Sequence, residues 1–209
     1  MHVRVLVRSL LVLVIALVPA LSNAAETLRL GAVFNLTGPM AAIDVPGLEG
    51  AQLAAERINA AGGVLGRPVQ LVVRDGASNT TAVAAAVREL VEQEKVSAVL
   101  GLGDSTYVLA AAPEATRRGV PFLTSGATLP SLPDTLGPFL FMAAFGDDAQ
   151  AEAVALFARE KLQAGSAAVL ANRAFDFTRT LDESFRQAFA RLGGGIACHV
   201  PYGAGDTTF

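Results

Sequence analysis

The chain has 209 residues, of which 52% are hydrophobic, one is cysteine and none is tryptophan, and its formal net charge is −3. This length suits one large domain or the beginning of a two-domain protein. The mildly negative charge argues against nucleic acid and anionic surfaces as partners, and a single cysteine excludes an intrachain disulfide.

The first 24 residues have the pattern of a secretory signal peptide. Arg4 and Arg8 precede an uninterrupted apolar run, Leu10–Val18, and a small-residue cleavage motif ends at Ala24. An uncleaved membrane anchor is the alternative, but the apolar run is well short of the roughly 20 residues that a membrane span needs. We therefore predict cleavage after Ala24 and a soluble, exported protein.

Strands and helices alternate through the next hundred residues. The predicted strands are Thr27–Phe34, Val69–Arg74, Val96–Leu102 and Val120–Thr124. The predicted helices run from Pro46 in a first turn to about Ala60, from a cap at Asn79 or Thr80 through Val91, and from a cap at Ser105 to about Arg118. This alternation predicts an α/β fold with a doubly wound parallel sheet.

Small polar residues follow two neighbouring strands of this sheet, the strands that end near Leu102 and Thr124. Strand, helix and strand in about thirty residues form a βαβ unit, so both strands end on the same edge of the sheet. Ligands of open α/β sheets bind at that carboxyl edge. The sequence therefore predicts a small-molecule site there, built from Asp104, Ser105, Thr106, Ser125, Gly126 and Thr128.

The α/β alternation restarts near residue 145, after a loop rich in proline. The predicted elements are a helix capped by Asp147 or Asp148 that runs to about Lys161, a strand at Ala167–Leu170, a helix from about Thr178 to Leu192 and a strand at Ile196–Val200. We interpret this restart as a crossover into a second domain of the same type.

Five stretches together resemble the type I periplasmic binding proteins of branched-chain amino acid and amide ABC transporters. They are LGAVFNLTGPMA, GAQLAAERINAAGGVLGRPVQLVVRD, SAVLGLGDS, PFLTSGATLP and FGDDAQAEAVALFA. The resemblance implies two similar α/β lobes with a ligand clamped between them. It places a first lobe at 25–143 and an incomplete start of the second lobe at 144–209, so we expect a truncated chain.

The resemblance also implies ligand-binding residues. Ser105 matches the serine that holds a ligand carboxylate, although an N-cap role alone is the alternative. Gly126 and Thr128 match a backbone carbonyl and a hydroxyl that accept from a ligand ammonium, with an ordinary turn as the alternative. Phe177 matches an aromatic residue of the second lobe, with Phe175 or a plain core role as alternatives. Ile43 matches a position near the side-chain pocket that is often aromatic, and its identity suggests an apolar pocket wall.

The implied function is an extracytoplasmic solute-binding protein that carries an amino acid or amide to an ABC permease in the inner membrane. A ligand-sensing domain of the same fold is the alternative. We do not expect an enzyme, because nucleotide-binding, hydrolase and zinc-protease motifs are absent from the sequence. We expect neither a cofactor nor a metal. Asp104 and the pair Asp147–Asp148 are interpreted as charges that stabilise helix starts.

Overall fold

The computed structural model describes residues 26–203 and 205–207, so the predicted signal peptide lies outside the described residues. Seven strands form two sheets within this part of the chain. The strands are β1 Leu28–Phe34, β2 Val69–Asp75, β3 Ala98–Gly101, β4 Phe122–Thr124, β5 Leu140–Met142, β6 Ser166–Asn172 and β7 Gly195–Tyr202.

The larger sheet has the order β2-β1-β3-β4-β5, and every neighbouring pair in it is parallel. β1 lies inside the sheet, where Gly31 is paired with Val72 of β2 on one side and Val99 of β3 on the other. The smaller sheet pairs β6 and β7, also in parallel. The predicted α/β fold with a parallel sheet is confirmed.

Six α-helices connect these strands in the described residues. They are α1 Ala41–Ala60, α2 Thr80–Glu92, α3 Ser105–Thr116, α4 Leu132–Leu136, α5 Asp147–Leu156 and α6 Asp176–Arg191. A π-helical segment, Phe157–Lys161, continues α5. No helix in the described part of the chain has the length and apolar composition needed to cross a bilayer.

The main core lies between the larger sheet and helices α2 and α3. Val83, Val87 and Leu90 of α2 are fully buried, as their helical spacing predicts. Asn79 caps α2 by accepting a hydrogen bond from the N–H of Ala82 at 2.9 Å. Local sequence signals were therefore sufficient to define this helix.

Other helix starts differ from the predictions. α1 begins at Ala41, so Pro46 lies inside the helix rather than in its first turn. The earlier start is stabilised by a tertiary contact, because the buried Asp44 carboxylate binds Asn35. In α3 the cap is Asp104 and Ser105 is the first helical residue, since the Asp104 carboxylate reaches the N–H of Thr106.

The helices that flank the smaller sheet, α5 and α6, pack against each other and enclose a separate core. Neither predicted cap of α5 is correct, because Gly146 is the N-cap and Asp147 and Asp148 are the first helical residues. In α6 the Phe189 ring is fully buried and stacks on Phe185, with 5.4 Å between the ring centroids. The predicted apolar face of this helix therefore faces a core.

Candidate functional site

A cavity of about 270 Å³ lies at the carboxyl ends of β3 and β4, beside α5 and α6. It contains the four residues that the resemblance implied as ligand contacts, Ser105, Gly126, Thr128 and Phe177, from two separate parts of the chain. Thr106 and Ser125, which the sequence also placed at this edge, are not among its lining residues. The lining residues are Met40, Ile43, Gly103, Asp104, Ser105, Gly126, Thr128, Gln150 and Phe177. The two polar loops therefore meet at one edge of the sheet, as parallel pairing of β3 and β4 requires.

Ser105 holds the loop after β4 against the start of α3. Its side chain is fully buried, and its Oγ accepts hydrogen bonds from the N–H groups of Thr128 at 3.3 Å and Leu129 at 3.2 Å. A hydroxyl has one donor in addition to its two acceptor positions, and the described residues supply no acceptor for the hydroxyl hydrogen of Ser105. Ser105 can therefore support the loop and donate to a ligand at once.

The loop after β4 approaches the loop after β3 very closely. A Cβ on Gly126 would lie 3.3 Å from the Cα of Gly103, so the backbones are nearly in van der Waals contact. Thr124 fixes the turn, because its hydroxyl donates to the carbonyl of Leu102 at 2.8 Å and accepts from the N–H of Ala127 at 3.1 Å. The close contact leaves Gly126 and Thr128 at the cavity wall.

The loop after β3 is fixed from the opposite side by Asp44 of α1. Its carboxylate is 1% exposed and accepts from the N–H of Gly103 at 2.9 Å and from both the backbone and side-chain N–H groups of Asn35 at 2.8 Å. Gly101 has a φ of +135°, and a Cβ there would lie 1.8 Å from the carbonyl oxygen of Val33. These contacts fix the backbone that leads to Asp104 and Ser105.

The segment after β5 contributes Gln150 of α5 and Phe177 of α6 to the cavity. Phe177 is the second residue of α6, whereas the alternative candidate Phe175 is its N-cap and is not among the lining residues. Sequence reasoning missed Gln150, whose exposed side chain lies one helical turn after Asp147. The helical spacing from Asp147 was the only signal that could have pointed to it.

Asp147 joins the two parts of the chain beneath the cavity. Its backbone N–H donates to the carbonyl of Thr128 at 2.8 Å, and its carboxylate is fully buried. Neither carboxylate oxygen has a hydrogen-bond partner among the described residues. Burial raises the pKa of Asp147, and the charge of Asp148 adds to this. The hydroxyl of Thr128 acts in the opposite direction without completing a hydrogen bond of standard geometry.

A family model for periplasmic binding proteins matches residues 27–209. The chain belongs to this family. The resemblance seen in the sequence is thereby confirmed, and the protein is a type I periplasmic binding protein that is similar to members of the branched-chain amino acid group. Its parallel sheet, with polar loops gathered at the carboxyl edge, is the part of the fold that contains the cavity.

Individual relatives agree with this assignment. The periplasmic binding protein superimposes on LivJ, a branched-chain amino acid transporter substrate-binding protein of Streptococcus pneumoniae solved in complex with isoleucine. The TM-score is 0.80, with 35% identity over 88% of this chain and 51% of that one. It is 31% identical over 121 residues to Leu/Ile/Val-binding protein homolog 7 of Brucella suis, covering 58% of this chain and 30% of the relative.

An amino acid binding protein of Pseudomonas aeruginosa is 28% identical over 187 residues, which cover 89% of this chain and 50% of the relative. The periplasmic binding protein described here thus spans about half the length of the relatives it matches most fully.

Proposed function

We propose that this protein binds a small amino acid or amide in the cavity and delivers it to an ABC permease in the inner membrane. Residues 25–143 would form one lobe, and residues 144–209 would belong to a second lobe. The observation that carries the proposal is the cavity itself, where Ser105, Gly126 and Thr128 face Phe177 from the other part of the chain. The isoleucine bound to the related LivJ structure supports this ligand class.

Each of these groups has a physical role toward an amino acid. The hydroxyl of Ser105 donates to the ligand carboxylate, and the positive end of α3 stabilises the same negative charge. The carbonyl of Gly126 and the hydroxyl of Thr128 accept hydrogen bonds from the ligand ammonium. The ring of Phe177 and the side chain of Ile43 supply apolar walls for an aliphatic group. The protein acts as a carrier, and we assign it no catalytic step.

Titration with leucine, isoleucine, valine and their amides tests the proposal. Amide chemical shifts measured by NMR detect binding even at millimolar dissociation constants. We expect the shift changes to centre on Ser105, Gly126, Thr128 and Phe177. If saturating concentrations of every one of these ligands leave those amide signals unmoved, the proposed function is wrong.

A variant pair locates the site. Thr128→Val removes an acceptor for the ammonium while keeping the shape of the side chain, and we expect affinity for leucine to fall roughly tenfold or more. Thr135→Val makes the same change at an exposed position of α4, away from the cavity. Equal affinities of the two variants for leucine would show that the hydroxyl of Thr128 does not contact the ligand.

A further inference from the structure

Asp104 places a carboxylate on the cavity wall beside Ser105. The residue is 8% exposed, and one oxygen, Oδ1, caps α3 by accepting from the N–H of Thr106 at 2.8 Å. Its other oxygen, Oδ2, accepts no hydrogen bond from the described residues. Oδ2 is not one of the fully buried unpartnered atoms among the described residues, so it is accessible from the cavity that Asp104 lines. A cationic group there can bind it through a charge-assisted hydrogen bond.

No positive side chain among the described residues balances this charge at the cavity. The nine lining residues include one carboxylate and no arginine, lysine or histidine. A further carboxylate lies directly behind the wall, since that of Asp44 accepts from the N–H of Gly103. The cavity wall therefore carries a negative side chain and no positive one.

The phenol of Tyr107, the third residue of α3, is affected by the same carboxylates. Burial raises the pKa of its phenol, and the negative charges of Asp104 and Asp44 raise it further.

We infer that Asp104 is the ionic partner of the ligand's amine and makes the cavity selective for amine-bearing ligands. This inference rests on the proposed function and specifies its ligand class. An amino acid satisfies both neighbouring groups, because its ammonium binds Asp104, Gly126 and Thr128 while its carboxylate accepts from Ser105. An amino acid amide keeps the ammonium and loses only the carboxylate. A 2-oxo acid has the carboxylate alone, which Asp104 repels.

Three ligands with one carbon skeleton separate these contributions: leucine, leucinamide and 4-methyl-2-oxopentanoate. We expect unmodified protein to bind leucine and leucinamide at least about tenfold more tightly than the oxo acid. The variant Asp104→Asn removes the charge and keeps the cap, because asparagine is an equally good N-cap residue. We expect its affinity for leucinamide to fall roughly tenfold to a hundredfold and its affinity for the oxo acid to rise.

Asp134→Asn is the matched control, because it removes the same charge from an exposed position of α4 outside the cavity. It should bind all three ligands as unmodified protein does. Asp104→Ser provides a second uncharged cap, and thermal unfolding followed by circular dichroism verifies that both Asp104 variants are folded. In both Asp104 variants, the ratio of the affinity for leucinamide to the affinity for the oxo acid should be smaller than in unmodified protein.

The outcomes distinguish the two proposals. If unmodified protein binds leucine but Asp104→Asn and Asp104→Ser leave the ranking of the three ligands unchanged, the inference is overturned and the proposed function stands. An equal loss of affinity for all three ligands also overturns the inference, because charge selectivity requires opposite effects on amine and oxo acid. Absence of binding by all three ligands to unmodified protein overturns the inference, and the proposed function is wrong as well if isoleucine, valine and their amides also fail to bind.

Discussion

Replacing Ser105 by alanine should loosen the loop that carries Gly126 and Thr128, in addition to any effect on ligand affinity. The Ser105 Oγ is the acceptor for two backbone N–H groups, those of Thr128 and Leu129. An alanine at this fully buried position offers no acceptor in its place. The structure therefore gives this side chain a structural role in addition to the ligand contact that the sequence predicts.

The size of the effect follows from the two lost hydrogen bonds. An unsatisfied buried donor costs about 1–3 kcal/mol. Both bonds are longer than 3.1 Å and both N–H groups are only partly buried, so we take the lower end for each. The free energy of unfolding should therefore fall by about 2 kcal/mol, which corresponds to a melting temperature lower by roughly 4–8 °C for a chain of this size.

Two measurements test the predicted loss of stability. Urea unfolding followed by circular dichroism gives the free energy, and amide hydrogen exchange should show faster exchange at Thr128 and Leu129 than elsewhere in the loop. Ser125→Ala is the control, because this neighbouring serine is exposed and its side chain makes no hydrogen bond within the described residues. If Ser105→Ala and Ser125→Ala have equal stability and equal exchange at these two amides, Ser105 does not support the loop.

Three further predictions concern acidic side chains and export. Asp44→Ala leaves three donors of Asn35 and Gly103 without their acceptor, so urea unfolding should show a loss of about 3–5 kcal/mol, and a loss below about 1 kcal/mol would contradict this. Asp147→Asn should increase the free energy of unfolding at pH 7. The pKa of Asp147 is raised in the folded state, so the wild type loses stability as the pH rises above 3.8, the ordinary pKa of this carboxyl group. The extra stability of Asp147→Asn should disappear below pH 3.8. A stability difference between variant and wild type that does not change with pH would argue against ionisation of Asp147 as the cause. Mass spectrometry of exported protein should find a mature N-terminus that begins after Ala24, and an intact Met1 would contradict cleavage.

The sequence predicted those parts of the fold that depend on short-range patterns. The buried face of α2 follows from the helical spacing of Val83, Val87 and Leu90, and its cap follows from the side-chain chemistry of Asn79. Parallel pairing of β3 and β4 follows from the length of the connection between them. These features depend on neighbouring residues, so a single sequence contains enough information to predict them.

The remaining features depend on contacts between distant residues. α1 begins before Pro46 because Asp44 binds Asn35 and Gly103, and the partner Gly103 lies 59 positions away in the chain. Gln150 reaches the cavity because α5 begins beside Thr128. No periodicity in the sequence predicts that position of the helix. The dual role of Ser105 is likewise visible only once the loop after β4 is in place.

The close approach of Gly103 and Gly126 affects how this protein can change during evolution. A Cβ at Gly101 would lie 1.8 Å from the carbonyl oxygen of Val33, and one at Gly103 would lie 2.9 Å from side-chain atoms of Ile43 and Asp44, so both positions resist a side chain. Gly126 is tightly packed against the backbone of Gly103 as well. Ile43, Gln150 and Phe177 instead line the cavity with side chains that extend from helices, and Ile43 is 59% exposed. Descendants of this sequence can therefore acquire new ligand preferences through these three positions while the framework beneath them is inherited unchanged.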